Sequence, residues 1–306
     1  MTEGPRANAW QAFWRDRPAG GRNPGCLPHD GGALATLQRT AWHGFAAALP
    51  ANARTLDIGT GDGRVMHWMR EVRGDLDCQG IDLSPTLPPA PPGTVSTGGI
   101  AMEHLPFPAA HFDAVTSQFA LEYGDLPVAF AQVARVLRPG GSVGMLTHRA
   151  DGPLLQHNLA RKGAIAWAIE AKALPEAARL SLRALPPHAG AIPSAFGDAV
   201  AEAEASFGKQ SPAFEIAEAI RQALARTASD GADAARGMID RIEALAIGES
   251  GRIAALEQAC RAIADEDALR ETLRRVGLEQ VAARPLSVAP GDGSFADFRH
   301  LVSRRG

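Results

Sequence analysis

The chain contains three cysteines, and Cys26, Cys78 and Cys260 make neither a CxxC pair nor an even set. Neither a disulfide framework nor a zinc site is indicated, and the pattern suits a reducing cytoplasm. Long apolar runs are also missing. No stretch approaches the ~20 apolar residues of a membrane span, and MTEGPRANAWQAFWRDR has no continuous apolar run of the signal-peptide kind. A soluble, cytoplasmic protein with no membrane partner is expected. Positive charge is not in excess: 31 Lys and Arg are scattered among 34 Asp and Glu, for a net charge of -3. The clustered basic face that grips phosphate backbones is therefore lacking, and no nucleic-acid partner is expected. Tyrosine occurs once, at Tyr123.

What is present centres on LDIGTGDGRV, Leu56 to Val65. Leu56 and Ile58 read as a buried strand. Gly59, Gly61 and Gly63 strip three side chains from a turn, and Val65, Trp68, Met69 and Val72 recur at helical spacing behind it. A backbone that bare suits close approach of a ligand, and the N–H groups opening the helix can receive an anionic group. With 306 residues at 45% hydrophobic content, there is room for one large domain or a domain carrying an insertion.

In chain order, Trp10, Phe13 and Trp14 form an i, i+3, i+4 cluster that covers either the core or a substrate pocket. A Gly- and Pro-rich loop follows, then a helix from about Ala33 to Leu49, stopped by Pro50. LDCQGIDLSP reads as a second buried strand ending at Asp82, an acid placed where a ribose-binding carboxylate follows a glycine turn. Its two oxygens can accept both ribose hydroxyls. FDAVTSQF is a strand, LPVAFAQVARVL an amphipathic helix, and SVGMLTHR a further strand after Gly140-Gly141. From about Leu154 to Asp265 the chain is Ala-rich and helical in pattern; ALRETLRRVGLEQVAARPLSV and FADFRHLVSRR then read as helix, Gly277 turn and two strands.

The turn is GxGxG, Gly59-Thr60-Gly61-Asp62-Gly63 with Asp57 ahead of it, whereas a dinucleotide fingerprint is GxGxxG. LDIGTGDG, GIDLSP, LPFPAAHFDAVTSQFALEY and VARVLRPGGSVGML, in that order between Leu56 and Leu146, resemble the motif set of class I S-adenosylmethionine-dependent methyltransferases. The resemblance implies an α/β fold with a Rossmann-like seven-stranded methyltransferase sheet, here with a helical insertion after the fifth strand. Three segments are expected: N-terminal helices with the cofactor-binding core over 1–150, the insertion over 151–265, and a closing helix and strands over 266–306. The insertion is expected to act as a lid or substrate subdomain; the alternative is an appendage that stabilises the chain or makes it a homodimer.

The resemblance also implies roles by position. S-adenosyl-L-methionine would be the cofactor, its methionine part cradled by Gly59, Thr60, Gly61 and Gly63, with Asp57 orienting the amino group. Asp82 would bind the ribose and Leu83 would lie against the adenine, with Met102 and Glu103 on its other face. Ser117, Gln118 and Phe119 would border the transfer site. Relatives commonly carry Gly-Asp-Ala shortly before LPF; this chain has Ile100-Ala101-Met102, so Glu103 or a backbone carbonyl is expected to take the adenine amino group. Relatives also place a helix where this chain has SPTLPPAPPG, which is expected to be an extended loop over the adenine end.

A sulfonium methyl is already activated, so the protein chiefly needs in-line placement, exclusion of water and, for some acceptors, a base. Glu122, Tyr123 and His148, at strand ends, are the catalytic candidates, and each has a structural reading beside it. His148, Asp151 and His157 are too irregularly spaced for a metal site, and none is expected. Methyltransferases of base amino groups usually carry Asn/Asp-Pro-Pro-aromatic after the fourth strand; Thr116-Ser117-Gln118-Phe119 stands here, so a small-molecule acceptor is expected. The alternative is a methyltransferase-fold binding or regulatory protein that holds the cofactor without catalysis.

Overall fold

A computed structural model of the protein describes residues 31–184, 193–288 and 293–304. The Trp10, Phe13 and Trp14 cluster, Cys26 and most of the loop before Ala33 lie outside the described residues, as do Pro186 and Pro187. Seven strands form one sheet: β1 (Arg54–Ile58), β2 (Asp77–Ile81), β3 (Thr94–Thr97), β4 (Phe112–Gln118), β5 (Leu137–His148), β6 (Leu278–Leu286) and β7 (Ala296–Ser303). Their order is β3-β2-β1-β4-β5-β7-β6, parallel except for β7, which runs antiparallel to both neighbours. Strands covered on both faces read as apolar runs rather than alternating ones, and β1 and β4 are buried almost end to end. The order reverses between β1 and β4, so the C-terminal ends of these strands flank a crevice of the kind that holds ligands in open α/β sheets.

The helices follow their sequence signals closely. α1 is described over Gly31–Ala47 and ends two residues before the expected Leu49. It lays Trp42 and Phe45 on the sheet, where Trp42 meets Phe298 edge-on at 5.1 Å between ring centres. α2 (Arg64–Val72) buries Val65, Met66 and Met69; Val72, on its last turn, is 45% exposed rather than inward. α3 (Leu126–Val136) is capped by Asp125, whose carboxylate accepts the Val128 N–H at 3.3 Å. Phe130 and Ala134 face inward as the pattern predicts, and Leu137, equally buried, already belongs to β5.

The described residues up to Leu155 and from Ala255 onward form one compact unit, which contains the sheet, and Gln156–Ala254 form another. The second unit is built from α4 (Pro153–Ala166), a π-turn at Trp167–Ala171, α5 (Leu174–Ala184), α6 (Ser194–Phe207), α7 (Pro212–Ala225) and most of α8 (Ala232–Ala262). Its core mixes Ile165, Phe196, Ile220 and Ile239 with Ala168, Ala178, Ala203 and Ala217. The alanines let helices approach closely, the structural outcome of the Ala-rich composition. After α9 (Glu266–Arg275), capped by Asp265, Gly277 at φ 81° turns the chain into β6.

Candidate functional site

The glycine turn sits between β1 and α2. Gly59, Gly61 and Gly63 all have positive φ, at 70°, 52° and 73°. A Cβ on Gly59 would fall 2.2 Å from the Ala120 Cβ, and one on Gly63 would fall 2.5 Å from Pro91 Cδ. Glycine is required at both positions by conformation and by space. The Gly59 and Thr60 N–H groups donate to the Ile81 carbonyl at 2.8 and 2.9 Å, which fastens the turn to the end of β2. The Thr60 side chain packs over Gly80, where a Cβ would lie 2.5 Å from its hydroxyl.

Asp82 stands where β2 ends. Its carboxylate accepts the Gly61 N–H at 3.0 Å and the Ser84 N–H at 2.9 Å. Burial raises its pKa, and these two backbone donors pull the other way. Asp57 is more deeply placed, at 1% exposure. Its Oδ1 accepts the Thr116 hydroxyl at 2.8 Å, while Oδ2 is buried with no hydrogen-bond partner among the described residues. Burial pushes its pKa from 3.8 to about 7, against the Thr116 and Thr60 hydroxyls and aided by the charges of Asp82 and Asp62. Asp62 is paired with Arg64 at 2.6 Å.

The proline-rich stretch between β2 and β3 contains no helix, and it returns Pro91 against Gly63. Leu83 is 43% exposed at the turn's rim. The Ile100 N–H donates to the Asp82 carbonyl at 2.9 Å, bringing the following Met102 and Glu103 to this end of the sheet. Met102 lies half-buried against Gly124, and Glu103 Oε1 accepts the Asp125 N–H at 3.0 Å.

Beyond β4 the chain makes a tight turn over the crevice. Ser117 Oγ accepts the Leu121 N–H at 3.1 Å, and Phe119 adopts φ 54°, a left-handed conformation that non-glycine residues seldom hold. Its ring lies 4.3 Å from the His148 imidazole. Glu122 and His148 are each 2% exposed. Glu122 Oε1 takes two donors from His148, the backbone N–H at 3.1 Å and Nδ1 at 2.8 Å, and Tyr123 sets its ring edge-on to the imidazole at 5.8 Å. A carboxylate can only accept, so Nδ1 carries the proton toward Glu122.

The structure therefore brings the sequence-predicted residues into two groups on one sheet edge. Asp57, Gly59 to Gly63, Asp82 and Leu83 surround the turn; Ser117, Gln118, Glu122, Tyr123 and His148 gather at the ends of β4 and β5. Met102 and Glu103 stand beside the loop after β4. Sequence reasoning missed Thr116, Pro91 and Gln38. Gln38 could have been found: it is a polar residue at 1% exposure on the stripe that carries Leu34, Trp42 and Phe45.

The methyltransferase domain family matches residues 56–145, the span that carries the glycine turn, Asp82 and β4. By this match, residues 56–145 resemble a methyltransferase domain. An uncharacterized methyltransferase of Mycobacterium tuberculosis is 39% identical over 108 residues, covering 34% of this chain and 43% of that protein. A demethylmenaquinone methyltransferase of Roseiflexus castenholzii is 37% identical over 120 residues, covering 36% and 49%. The chain thus spans about half the length of the curated relatives it matches. Among solved structures, 1,6-didemethyltoxoflavin-N1-methyltransferase of Burkholderia thailandensis aligns over 100% of this chain and 92% of its own, at 12% identity and a TM-score of 0.47. Among the described residues no helix is long and apolar enough to cross a membrane.

Proposed function

We propose that the protein transfers a methyl group from S-adenosyl-L-methionine to a small-molecule acceptor. The observation that carries this reading is the bare glycine turn flanked by Asp82 and by Asp57, whose buried Oδ2 has no partner at hydrogen-bonding distance and angle among the described residues. The residues suit such a cofactor: the turn gives room for an amino-acid end, Asp57 supplies a counter-charge for its ammonium, and Asp82 supplies two oxygens for ribose hydroxyls. Three carboxylates around the turn, of which, among the described residues, only Asp62 is answered by an arginine, favour a cation and disfavour the pyrophosphate of a dinucleotide. When bound, the cofactor supplies a methyl on a sulfonium sulfur, activated for in-line displacement.

This chain's residues then have five tasks. Gly59 to Gly63 and Asp57 hold the amino-acid end, and Asp82 holds the ribose. Leu83, Met102 and Glu103 sandwich the adenine. Ser117 and Gln118 shape the wall at the transfer end, Gln118 from its tie to α1. Glu122, Tyr123 and His148 face the acceptor, where the Glu122–His148 pair can hold a proton displaced from it. The demethylmenaquinone methyltransferase, by its name, works on a small molecule, in line with this reading.

Incubation of the protein with methyl-labelled S-adenosylmethionine and fractionated metabolites tests the proposal. The expected result is label in a low-molecular-weight product with matching formation of S-adenosylhomocysteine. Cofactor binding with label transferred to none of the fractions would contradict it.

A further inference from the structure

We propose that the side-chain amide of Gln38 donates a hydrogen bond to an oxygen of the methyl acceptor, selecting acceptors that carry a carbonyl, carboxylate or phenolate oxygen. This rests on the reading of the site as one of methyl transfer.

The argument starts from Trp42, whose indole N–H can donate and never accept. Trp42 Nε1 donates to Gln118 Oε1 at 2.7 Å, which fixes which end of the Gln118 amide is oxygen. The Gln118 Nε2 then donates to Gln38 Oε1 at 3.0 Å, which fixes the second amide in turn. The relay therefore has a direction, from Trp42 through Gln118 to Gln38, and it ends on Gln38 Nε2. That NH2 group is buried and has no hydrogen-bond partner among the described residues, although Gln38 is only 1% exposed. Buried donors are nearly always satisfied, so one left over at the end of an ordered chain points to a partner that comes from elsewhere.

Its place in the fold identifies that partner. Phe45 meets His300, which pairs with Gly144 of β5, and Trp42 meets Phe298, which pairs with Leu146. Moving back along α1 from Phe45 to Trp42 thus follows β5 toward His148, and Gln38 lies one helical turn further on. Leu146 is also the partner of Gln118 in β4. Gln38 accordingly stands at the sheet edge that carries Phe119, Glu122 and His148. A second unsatisfied group sits on that edge: Glu122 Oε2, buried and without a hydrogen-bond partner among the described residues. One orphan is a donor and the other an acceptor. A molecule offering an oxygen to Gln38 and an O–H or N–H to Glu122 completes both.

The test uses Gln38→Met, which removes the amide, and Gln38→Glu at pH 9, where an ionised carboxylate still accepts from Gln118 but cannot donate. Affinity for S-adenosylhomocysteine is measured by calorimetry, and methyl transfer by label incorporated from S-adenosylmethionine with a metabolite extract. Both variants are expected to keep the cofactor affinity within about twofold and to lose on the order of tenfold or more in transfer rate. Wild-type transfer by Gln38→Glu beside a loss in Gln38→Met means the amide only holds Gln118 in place, and overturns the proposal. So does wild-type transfer by both, or loss of cofactor binding by both. A labelled product with no hydrogen-bonding oxygen overturns it as well. If the wild-type protein binds S-adenosylhomocysteine yet labels nothing, the methyl-transfer reading itself fails and the role of Gln38 falls with it.

Discussion

Glu122 is joined to His148 twice through a single oxygen: its Oε1 accepts both the backbone N–H and Nδ1 of the histidine, the latter at 2.8 Å, with both side chains almost wholly buried. β4 and β5 are therefore tied together just beyond their paired residues, at the edge where the methyl group is proposed to pass. Removing the carboxylate takes this acceptor away from both donors, and a buried donor that loses its acceptor costs about 1–3 kcal/mol.

Glu122→Ala is accordingly expected to lower the unfolding free energy on that scale in urea titrations. Glu122→Gln keeps an oxygen for both donors and is expected to fold and to bind cofactor. If Glu122 helps to remove an acceptor proton, the glutamine variant is expected to slow transfer by about 10²–10⁴-fold. A glutamine variant with wild-type transfer would leave Glu122 a purely structural tie.

Asp57 gives a pH signature. Its pKa is held at about 7 in the folded protein against 3.8 ordinarily. Between those values the unfolded chain releases a proton that the folded chain keeps, so stability falls as pH rises from about 4 to 7 and is level above that. The shift corresponds to roughly 4 kcal/mol at most. Asp57→Asn, which cannot ionise, is expected to be more stable than wild type at pH 8 and little different at pH 4. Cofactor binding runs the opposite way. An ammonium favours the ionised carboxylate, so wild-type affinity is expected to rise between pH 5 and 7 and the asparagine variant to lose that rise. Calorimetry across the range reads both; a flat wild-type profile would detach Asp57 from the ligand.

Gly59→Ala places a methyl where Ala120 already stands and forces φ 70° on a residue with a Cβ. The backbone cost alone is about 1–2 kcal/mol. The expected outcome is a lower melting temperature together with loss of cofactor binding. Gly44→Ala, on the open surface of α1 with nothing within 4 Å, is the control and is expected to be neutral or slightly stabilising.

Much of this was legible in the sequence because local chemistry and tertiary role coincide. Gly59 and Gly63 signal the turn and are fixed in place by it; the helix LPVAFAQVARVL forms where its apolar spacing places it, with Asp125 as its cap. The proline-rich stretch after Ser84 forbids a helix, and none forms. β3 was harder to read: TVST is short and half exposed, and only pairing with β2 makes it a strand. The relay from Trp42 through Gln118 to Gln38 spans residues 76 and 80 apart in the chain, a relationship no local pattern encodes. The same holds for Glu122 and His148, which share no spacing rule and meet only because β4 and β5 are neighbours.

The most direct test of the account is calorimetric titration of the wild-type protein and Asp82→Ala with S-adenosylmethionine, S-adenosylhomocysteine and NAD. The wild type is expected to bind the first two and not the third, and Asp82→Ala to keep its fold while binding more weakly by about 1.5–3 kcal/mol, the scale of hydrogen bonds to a charged group. Binding of NAD in preference to S-adenosylmethionine, or unchanged affinity in Asp82→Ala, would contradict the account.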